Sequence, residues 1–301
     1  MLNDLFPALL IKAVSKFEFN KLTEVRLRRN CPVIVNYMGK NLILKTEDGE
    51  PLYVNREIIE FVLKKATEYS IYAFNNQIKQ GFITARGGIR IGIAGESVNS
   101  DNFLPKTIKD INSMNIRIPH EVVGCSNLVF KFIYSENEIK NTLIVSPPGA
   151  GKTTLLRDIA RNLSFVNDKI INTLIVDERF EIASCVDGQP MLDVGIYSDI
   201  VSGATKEFAF LNAIRALRPD VIITDELAGE DDIRACENAI NSGVKVIASV
   251  HASSINELKN KFEFSNLLNE RLFSRIIILS SKNGPGHCER IFDENLKCIY
   301  F

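Results

Sequence analysis

The segment that most constrains the fold of this chain is NTLIVSPPGAGKTTLLRDIA, at residues 141–160. An apolar stretch typical of a buried strand runs into a glycine-containing loop, and a helical pattern follows the loop. Gly149 and Gly151 would let backbone N–H groups turn inward around a phosphate, and the helix N-terminus would add its partial positive charge. Lys152 would reach the β- and γ-phosphates of a nucleotide, and the Thr153 hydroxyl would ligate Mg²⁺. The segment therefore predicts a phosphate-binding loop of the Walker A type.

One position departs from the usual G-x-x-x-x-G-K-[ST] pattern, because Ser146 stands where the first glycine is expected. The later glycines make the closest approach to phosphate, so we expect the loop to keep its function. The residues predicted to contact the nucleotide are Ser146, Pro147, Pro148, Gly149, Ala150, Gly151, Lys152, Thr153 and Thr154.

A second motif, RPDVIITDELAG, is an apolar stretch that ends in Asp225 and Glu226. Ligands of open α/β sheets bind at the carboxyl ends of the strands, where this pair is expected to lie. Asp225 would hold Mg²⁺ through water, as a Walker B aspartate does, and Glu226 would orient or deprotonate an attacking water. A solvated acidic helix cap would give the same pair of residues, but the phosphate loop upstream favours the catalytic interpretation.

Two further strand ends carry candidate catalytic groups. TLIVDERFEIA places Glu178 after a predicted strand, where it competes with Glu226 as the water-activating base; an acid paired with Arg179 is an equal alternative. His251 follows the predicted strand Val244–Val250 and is either a sensor of the γ-phosphate or a structural histidine. The sequence leaves both alternatives open.

Phosphoryl transfer is often assisted by an arginine that a neighbouring subunit supplies. Each candidate in this chain is equally compatible with an ordinary surface charge, and the sequence does not choose among them. The candidate arginine fingers are Arg86, Arg90, Arg117, Arg215 and Arg218.

Hydrophobic patterning divides the chain into two predicted domains. Apolar stretches that alternate with helical segments predict a RecA-like P-loop NTPase core with a mainly parallel sheet over residues 137–301. Residues 1–136 predict a smaller α+β domain, with an amphipathic helix at the N-terminus, a helix capped by Asn55 and a β-hairpin around Gly87 and Gly88. The strands predicted for the core are Thr142–Val145, Thr173–Val176, Val221–Thr224, Val244–Val250 and Arg275–Leu279.

Composition narrows the classes of function. The net charge is −1, there is no tryptophan, and lysine and arginine are not concentrated in one run, so no nucleic-acid partner is expected. None of the six cysteines forms a C-x-x-C pair, which argues against a zinc site. A disulfide framework is not expected in a chain of this size, so the cysteines favour reduced thiols in a cytoplasmic protein. We expect no transmembrane helix and no signal peptide, so any work at a membrane would require recruitment.

The order of SPPGAGKTT, LIVDERFEI, AIRALRPDVIITDELAG and GVKVIASVHA resembles the secretion and type IV pilus ATPase superfamily of AAA+/RecA-like P-loop proteins. The phrases EVRLRRNCPVIV, GFITARGGIRIGIAGE and NIRIPHEVVG are most similar to its sporulation branch, the stage III sporulation protein AA family of endospore-forming bacteria. The resemblance covers roughly residues 20–280. It implies that Lys152 and Thr153 bind ATP and Mg²⁺, and it places Glu178, Glu226 and His251 in the acidic, Walker B and histidine boxes. Ser249 departs from the histidine box, which often has threonine there.

The resemblance implies an ATPase that converts ATP to ADP and phosphate, and that works as a ring-shaped homo-hexamer. It implies a motor in the mother-cell cytoplasm, peripherally recruited to the membrane, that energises membrane-embedded sporulation channel proteins between mother cell and forespore. Two alternatives remain at this point. One is a RecA-like nucleic-acid translocase, and the other is a nucleotide-dependent scaffold with little turnover.

Overall fold

The computed structural model describes residues 2–98, 107–282 and 284–301. Contacts divide the chain into two compact units, one of Met1–His120 with Ser184–Met191 and one of Glu121–Ala183 with Leu192–Phe301. Residues 121–136, which the sequence-based boundary assigns to the first domain, thus belong to the second unit. The carboxylate of Asp158 anchors them there by accepting hydrogen bonds from the backbone N–H groups of Gly124 and Ser126, at 3.0 and 2.8 Å.

The first unit is an antiparallel sheet with helices, as predicted for the N-terminal part of the chain. The strands follow the spatial order β3-β2-β1-β6-β5-β4, and every neighbouring pair is antiparallel. Its elements are α1 (Leu2–Leu5), α2 (Ala8–Val14), β1 (Leu22–Arg28), β2 (Ile34–Tyr37), β3 (Lys40–Ile43), α3 (Arg56–Ala66), α4 (Asn75–Lys79), β4 (Phe82–Ala85), β5 (Ile89–Val98) and β6 (Thr107–Arg117), with 3-10 turns at Phe19–Lys21, Ile71–Phe74 and Arg86–Gly88.

Local signals in this unit act as expected, with one exception. The Asn55 side chain accepts a hydrogen bond from the Ile58 backbone N–H at 2.9 Å and so caps α3. The hairpin β4–β5 turns at Gly87, whose φ of 75° is the left-handed conformation that glycine adopts freely. The predicted N-terminal helix is instead broken into α1 and α2 at Pro7. Proline lacks a backbone N–H, and its ring disfavours a helical conformation of the preceding residue.

The second unit is built on a large, mostly parallel sheet. The spatial order is β13-β12-β14-β15-β9-β16-β17-β18, parallel from β13 to β16 and antiparallel for the last two pairings. Its elements are α5 (Asn127–Ile133), β7 (Tyr134–Ser135), β8 (Glu138–Ile139), β9 (Thr142–Ser146), α6 (Lys152–Ser164), β10 (Phe165–Val166), β11 (Lys169–Ile170), β12 (Thr173–Asp177), β13 (Ser198–Ser202), α7 (Lys206–Leu217), β14 (Val221–Glu226), α8 (Glu230–Asn241), β15 (Lys245–His251), α9 (Ile255–Lys259), α10 (Phe262–Asn269), β16 (Arg275–Ser280), β17 (His287–Asp293) and β18 (Cys298–Tyr300).

The five predicted core strands are all present, within one or two residues of their predicted ends. Their side chains are almost completely buried because the sheet is covered on both faces, as the continuous apolar stretches indicate. Strand β13 is not predicted by the sequence pattern; its burial pattern is mixed, and it lies at one edge of the sheet. The mixed α/β fold with a mainly parallel sheet is therefore confirmed. Among the helices of the described ranges, none is long and apolar enough to cross a membrane.

Candidate functional site

The phosphate loop has the predicted strand–loop–helix geometry. Strand β9 ends at Ser146 and helix α6 begins at Lys152, so Pro147 to Gly151 form the loop. Gly149 and Gly151 have φ angles of 74° and 89°, in the left-handed region that favours glycine. Ser146 is buried, and its hydroxyl donates a hydrogen bond to the Pro147 carbonyl at 2.8 Å. The loop therefore forms without a glycine at its first position.

A second loop, between β16 and β17, supports the phosphate loop. The backbone N–H of Gly286 donates to the Ala150 carbonyl at 2.7 Å. A Cβ atom on Gly151 would lie 2.7 Å from the Gly286 nitrogen, a distance that real Cβ atoms do not tolerate. Gly151 thus serves two requirements, a left-handed φ and the close approach of another backbone. Sequence reasoning missed this contact, and the only signal for it is the Gly-Pro-Gly segment at residues 284–286.

Strand register explains how residues far apart in sequence reach this loop. In the parallel pair β15–β9, His251 is the partner of Ser146, the last strand residue before the loop. In the neighbouring pair β14–β15, Glu226 is the partner of Ser249. Because parallel strands end on the same edge of the sheet, His251 and Glu226 follow each other along that edge beside the phosphate loop.

Lys152, His251 and Glu226 form a connected polar group. Lys152 Nζ lies 2.8 Å from Nδ1 and 3.0 Å from Nε2 of His251, and His251 Nε2 lies 3.0 Å from Glu226 Oε2. An ammonium group only donates hydrogen bonds, so the neutral His251 tautomer that fits the shorter contact has Nδ1 as the acceptor from Lys152. In this tautomer Nε2–H donates a hydrogen bond to the Glu226 carboxylate. The structure therefore brings together three of the residues predicted to form the site.

The charge environment of Lys152 suits an anionic ligand. Burial lowers the pKa of Lys152, and the neighbouring charges of Arg179 and Lys261 lower it further, while Glu226 acts in the opposite direction. The Lys261 ammonium also donates to the His251 backbone carbonyl. Three cationic groups near one loop favour the binding of a polyphosphate. Sequence reasoning missed Lys261 and considered Arg179 only as a partner for an acid.

The two acids at the end of β12, Asp177 and Glu178, have different surroundings. Asp177 is fully buried, and its carboxylate accepts hydrogen bonds from the backbone N–H groups of Glu181, Ile182 and Ala183 at 2.7, 3.1 and 2.9 Å. Asp177 therefore shapes the loop that follows β12. Glu178 pairs through Oε2 with Nζ of Lys206 at 2.7 Å, so its cationic partner is Lys206 and not the adjacent arginine.

Lys206 also contacts the predicted magnesium ligand of β14. Its Nζ lies 3.0 Å from Asp225 Oδ1, and both side chains are largely shielded from water. Burial raises the pKa of Asp225 to about 6, although Lys206 acts to lower it. Lys206 is a site residue that sequence reasoning missed, because a lysine at the start of a predicted helix is ordinarily a solvated charge.

Helix α6 connects the phosphate loop to the loop after the acidic box. The buried Arg157 guanidinium donates to the carbonyls of Ile182 and Glu181 at 2.6 and 2.7 Å. These carbonyls belong to the segment whose N–H groups bind Asp177, so the segment is held from both sides. Arg157 therefore links α6 directly to the segment that follows β12.

The five candidate arginine fingers lie in different settings. Arg86 pairs with Glu68 and lies 3.7 Å from Asp187. The Arg90 guanidinium lies 4.5 Å from the centre of the Phe82 ring. Arg117, Arg215 and Arg218 are exposed. Their role in a neighbouring subunit stays a prediction.

The assignment of Thr153 and Asp225 as Mg²⁺ ligands stays a prediction. Within the described part of the chain, no three histidine, cysteine, aspartate or glutamate side chains converge as a metal cluster. Mg²⁺ usually keeps several waters and takes one or two protein ligands together with substrate phosphates. Thr153 at the start of α6 and Asp225 in β14 would form such a sparse set.

Known proteins are similar to this chain in sequence or in fold. A curated relative, the stage III sporulation protein AA of Bacillus subtilis (strain 168), is 35% identical over 291 residues, which cover 95% of this chain and 91% of the relative. The ATPase DotB of Yersinia pseudotuberculosis has a similar structure, with a TM-score of 0.61 at 16% identity, covering 97% of this chain and 81% of that chain.

The pilus retraction motor PilT with bound ADP also has a similar structure, with a TM-score of 0.57 at 15% identity, covering 89% of this chain and 76% of that chain. The fold is thus that of the secretion ATPases, with an N-terminal domain. The family model for sporulation stage III, protein AA, matches residues 5–299. The chain therefore belongs to the family of sporulation stage III protein AA.

Proposed function

We propose that this chain hydrolyses ATP to ADP and phosphate at the site formed by the phosphate loop and the ends of β14 and β15. The observation that carries the proposal is the convergence of Lys152 and Glu226 on His251, at the carboxyl edge of the sheet. The nucleotide bound to PilT, whose fold this chain shares, supports a nucleotide as the ligand.

Each residue has a defined task in this reaction. The inward N–H groups of the loop and the Lys152 ammonium bind the β- and γ-phosphates, for which Lys152 must leave His251. Glu226 then orients the water that attacks the γ-phosphate in line, and His251 holds the Glu226 carboxylate in place. Thr153 and Asp225 would hold Mg²⁺, which neutralises phosphate charge. Glu178, bound to Lys206, remains the second candidate for the base.

The proposal extends to a motor of the secretion-ATPase type. Family membership and the secretion-ATPase fold support a homo-hexameric ring in which an arginine of one subunit completes the site of the next. The same observations support action on membrane-embedded sporulation channel proteins, from the mother-cell cytoplasm and by peripheral recruitment. Such a site, completed only between subunits, would couple hydrolysis to movement of one subunit against another.

The experiment measures ADP binding and Mg²⁺-dependent ATP hydrolysis by the purified chain and three variants. We expect Lys152→Ala to weaken nucleotide binding by about 30-fold or more, because it removes a half-buried charged contact. We expect Glu226→Gln to bind nucleotide normally and to lower turnover by about 100-fold or more. Lys169→Ala, which removes an exposed lysine of β11, is the matched control and should behave as wild type.

The outcomes separate the competing functions. Full turnover by Glu226→Gln would transfer the role of base to Glu178. Nucleotide binding without turnover by the wild type would favour a scaffold. Salt-sensitive stimulation of hydrolysis by DNA would favour a translocase. Absence of nucleotide binding by the wild type would refute the proposal.

A further inference from the structure

Lys206 lies in a position that disfavours a positive charge. It is the first residue of α7, where the unpaired N–H groups of the helix already carry partial positive charge. Its side chain is only 4% exposed, so the ammonium has lost nearly all of its hydration. A charged lysine can remain here only if nearby anions compensate both effects.

Three carboxylates from three elements provide this compensation. Lys206 Nζ lies 2.7 Å from Glu178 Oε2, 3.0 Å from Asp225 Oδ1 and 3.6 Å from Asp232 Oδ2. Glu178 directly follows β12, Asp225 lies in β14, and Asp232 lies in α8. These three carboxylates surround the ammonium and offset the cost of its burial. The ammonium therefore connects the ends of β12 and β14 with the first turn of α8.

The same contacts restrain the segment that carries Glu226. Asp225 directly precedes Glu226, so a fixed Asp225 limits the directions in which Glu226 can point. Asp232 also accepts a hydrogen bond from the Ala228 backbone N–H at 2.9 Å, which holds the chain just after Glu226. Without the ammonium, Glu178, Asp225 and Asp232 would repel one another, and this restraint would be lost.

We propose that Lys206 is a positioning residue for ATP hydrolysis, which holds Glu178 and Asp225 at the ends of two neighbouring strands and thereby aims Glu226. This inference rests on the proposed ATPase function. Lys206 acts through carboxylates at the ends of β12 and β14, whereas the phosphate-binding Lys152 contacts His251. Loss of Lys206 is therefore expected to change the rate of hydrolysis and to leave nucleotide affinity largely intact.

The test compares steady-state ATP hydrolysis by the full chain and the variants Lys206→Met, Lys206→Arg and Lys259→Met. Methionine keeps most of the side-chain length without the charge, arginine keeps the charge, and Lys259→Met is the matched control at an exposed lysine of α9. We expect Lys206→Met to lower kcat by at least tenfold while KM for ATP and Kd for ADP change by less than threefold. Lys206→Arg should restore at least a third of the wild-type kcat, and Lys259→Met should match wild type.

Thermal melting identifies variants that fail to fold. If Lys206→Met gives no cooperative transition, Lys206→Met combined with Asp232→Asn is measured instead, because it removes one carboxylate together with the ammonium. The same limits then apply to the double variant. A kcat within threefold of wild type, or equal losses of kcat and ADP affinity in a folded variant, would overturn the positioning role. An inactive wild type would refute the proposed ATPase function itself, which distinguishes the two failures.

Discussion

Replacement of Gly151 by alanine tests the geometry of the phosphate loop most directly. The new Cβ would lie 2.7 Å from the Gly286 nitrogen and 3.2 Å from its Cα, and residue 151 would have to keep a φ of 89°. A left-handed backbone costs a non-glycine residue about 1–2 kcal/mol. Displacement of a packed neighbour costs about 1–3 kcal/mol more. We therefore expect Gly151→Ala to lower the free energy of unfolding by about 2–5 kcal/mol.

Gly149→Ala is the matched control for this variant. Gly149 has a φ of 74°, but a Cβ there meets nothing within 4 Å, so only the backbone cost of about 1–2 kcal/mol applies. Thermal melting without nucleotide measures the difference, which should place the melting temperature of Gly151→Ala about 2–10 °C below that of Gly149→Ala. Equal melting temperatures would show that a Cβ at residue 151 does not clash with the backbone of Gly286, and would refute the predicted steric cost.

Two further predictions concern stability and assembly. Asp158→Asn should destabilise the second unit by about 2–4 kcal/mol at pH 7, because the buried carboxylate accepts hydrogen bonds from Gly124, Ser126 and Arg161. Burial opposes ionisation, but these bonds lower the pKa of Asp158, so their stabilisation is lost as pH falls below about 4. Melting curves of wild type and variant should therefore converge in acid; a constant difference would contradict this. Light scattering should show a hexamer with ATP and Mg²⁺, and a monomer in every nucleotide state would refute the ring.

Local sequence patterns predicted much of the unit that carries the phosphate loop. The loop from Pro147 to Gly151 needs left-handed backbone angles at two positions. Only glycine adopts these angles freely, so the glycines in the sequence are enough to predict the loop. Strands buried on both faces are necessarily apolar, and all five predicted strands form. Acids and a histidine at strand ends could be predicted to meet because parallel strands end on one edge of the sheet.

Partners that approach from distant parts of the chain could not be predicted in this way. Lys206 is an unremarkable helix residue in sequence, and only the packing of α7 against β12 and β14 makes it a buried partner of Glu178 and Asp225. The contact of Gly286 with Ala150 depends on a hairpin loop that returns to the phosphate loop. The N-terminal helix differs for a local reason. The helical spacing of apolar residues continues across Pro7, but the helical hydrogen bonds are interrupted there because proline has no backbone N–H.

The sequence by itself determined the fold class, the position of the phosphate loop and the acids that follow two of the predicted strands, because backbone freedom at glycine and the burial of strands both leave local patterns. Only the tertiary structure decided which charge meets which: His251 between Lys152 and Glu226, and Lys206 among Glu178, Asp225 and Asp232. The physical reason is that electrostatic interactions depend on distance and on exclusion of water, and both are set by how strands and helices from separate parts of the chain pack together.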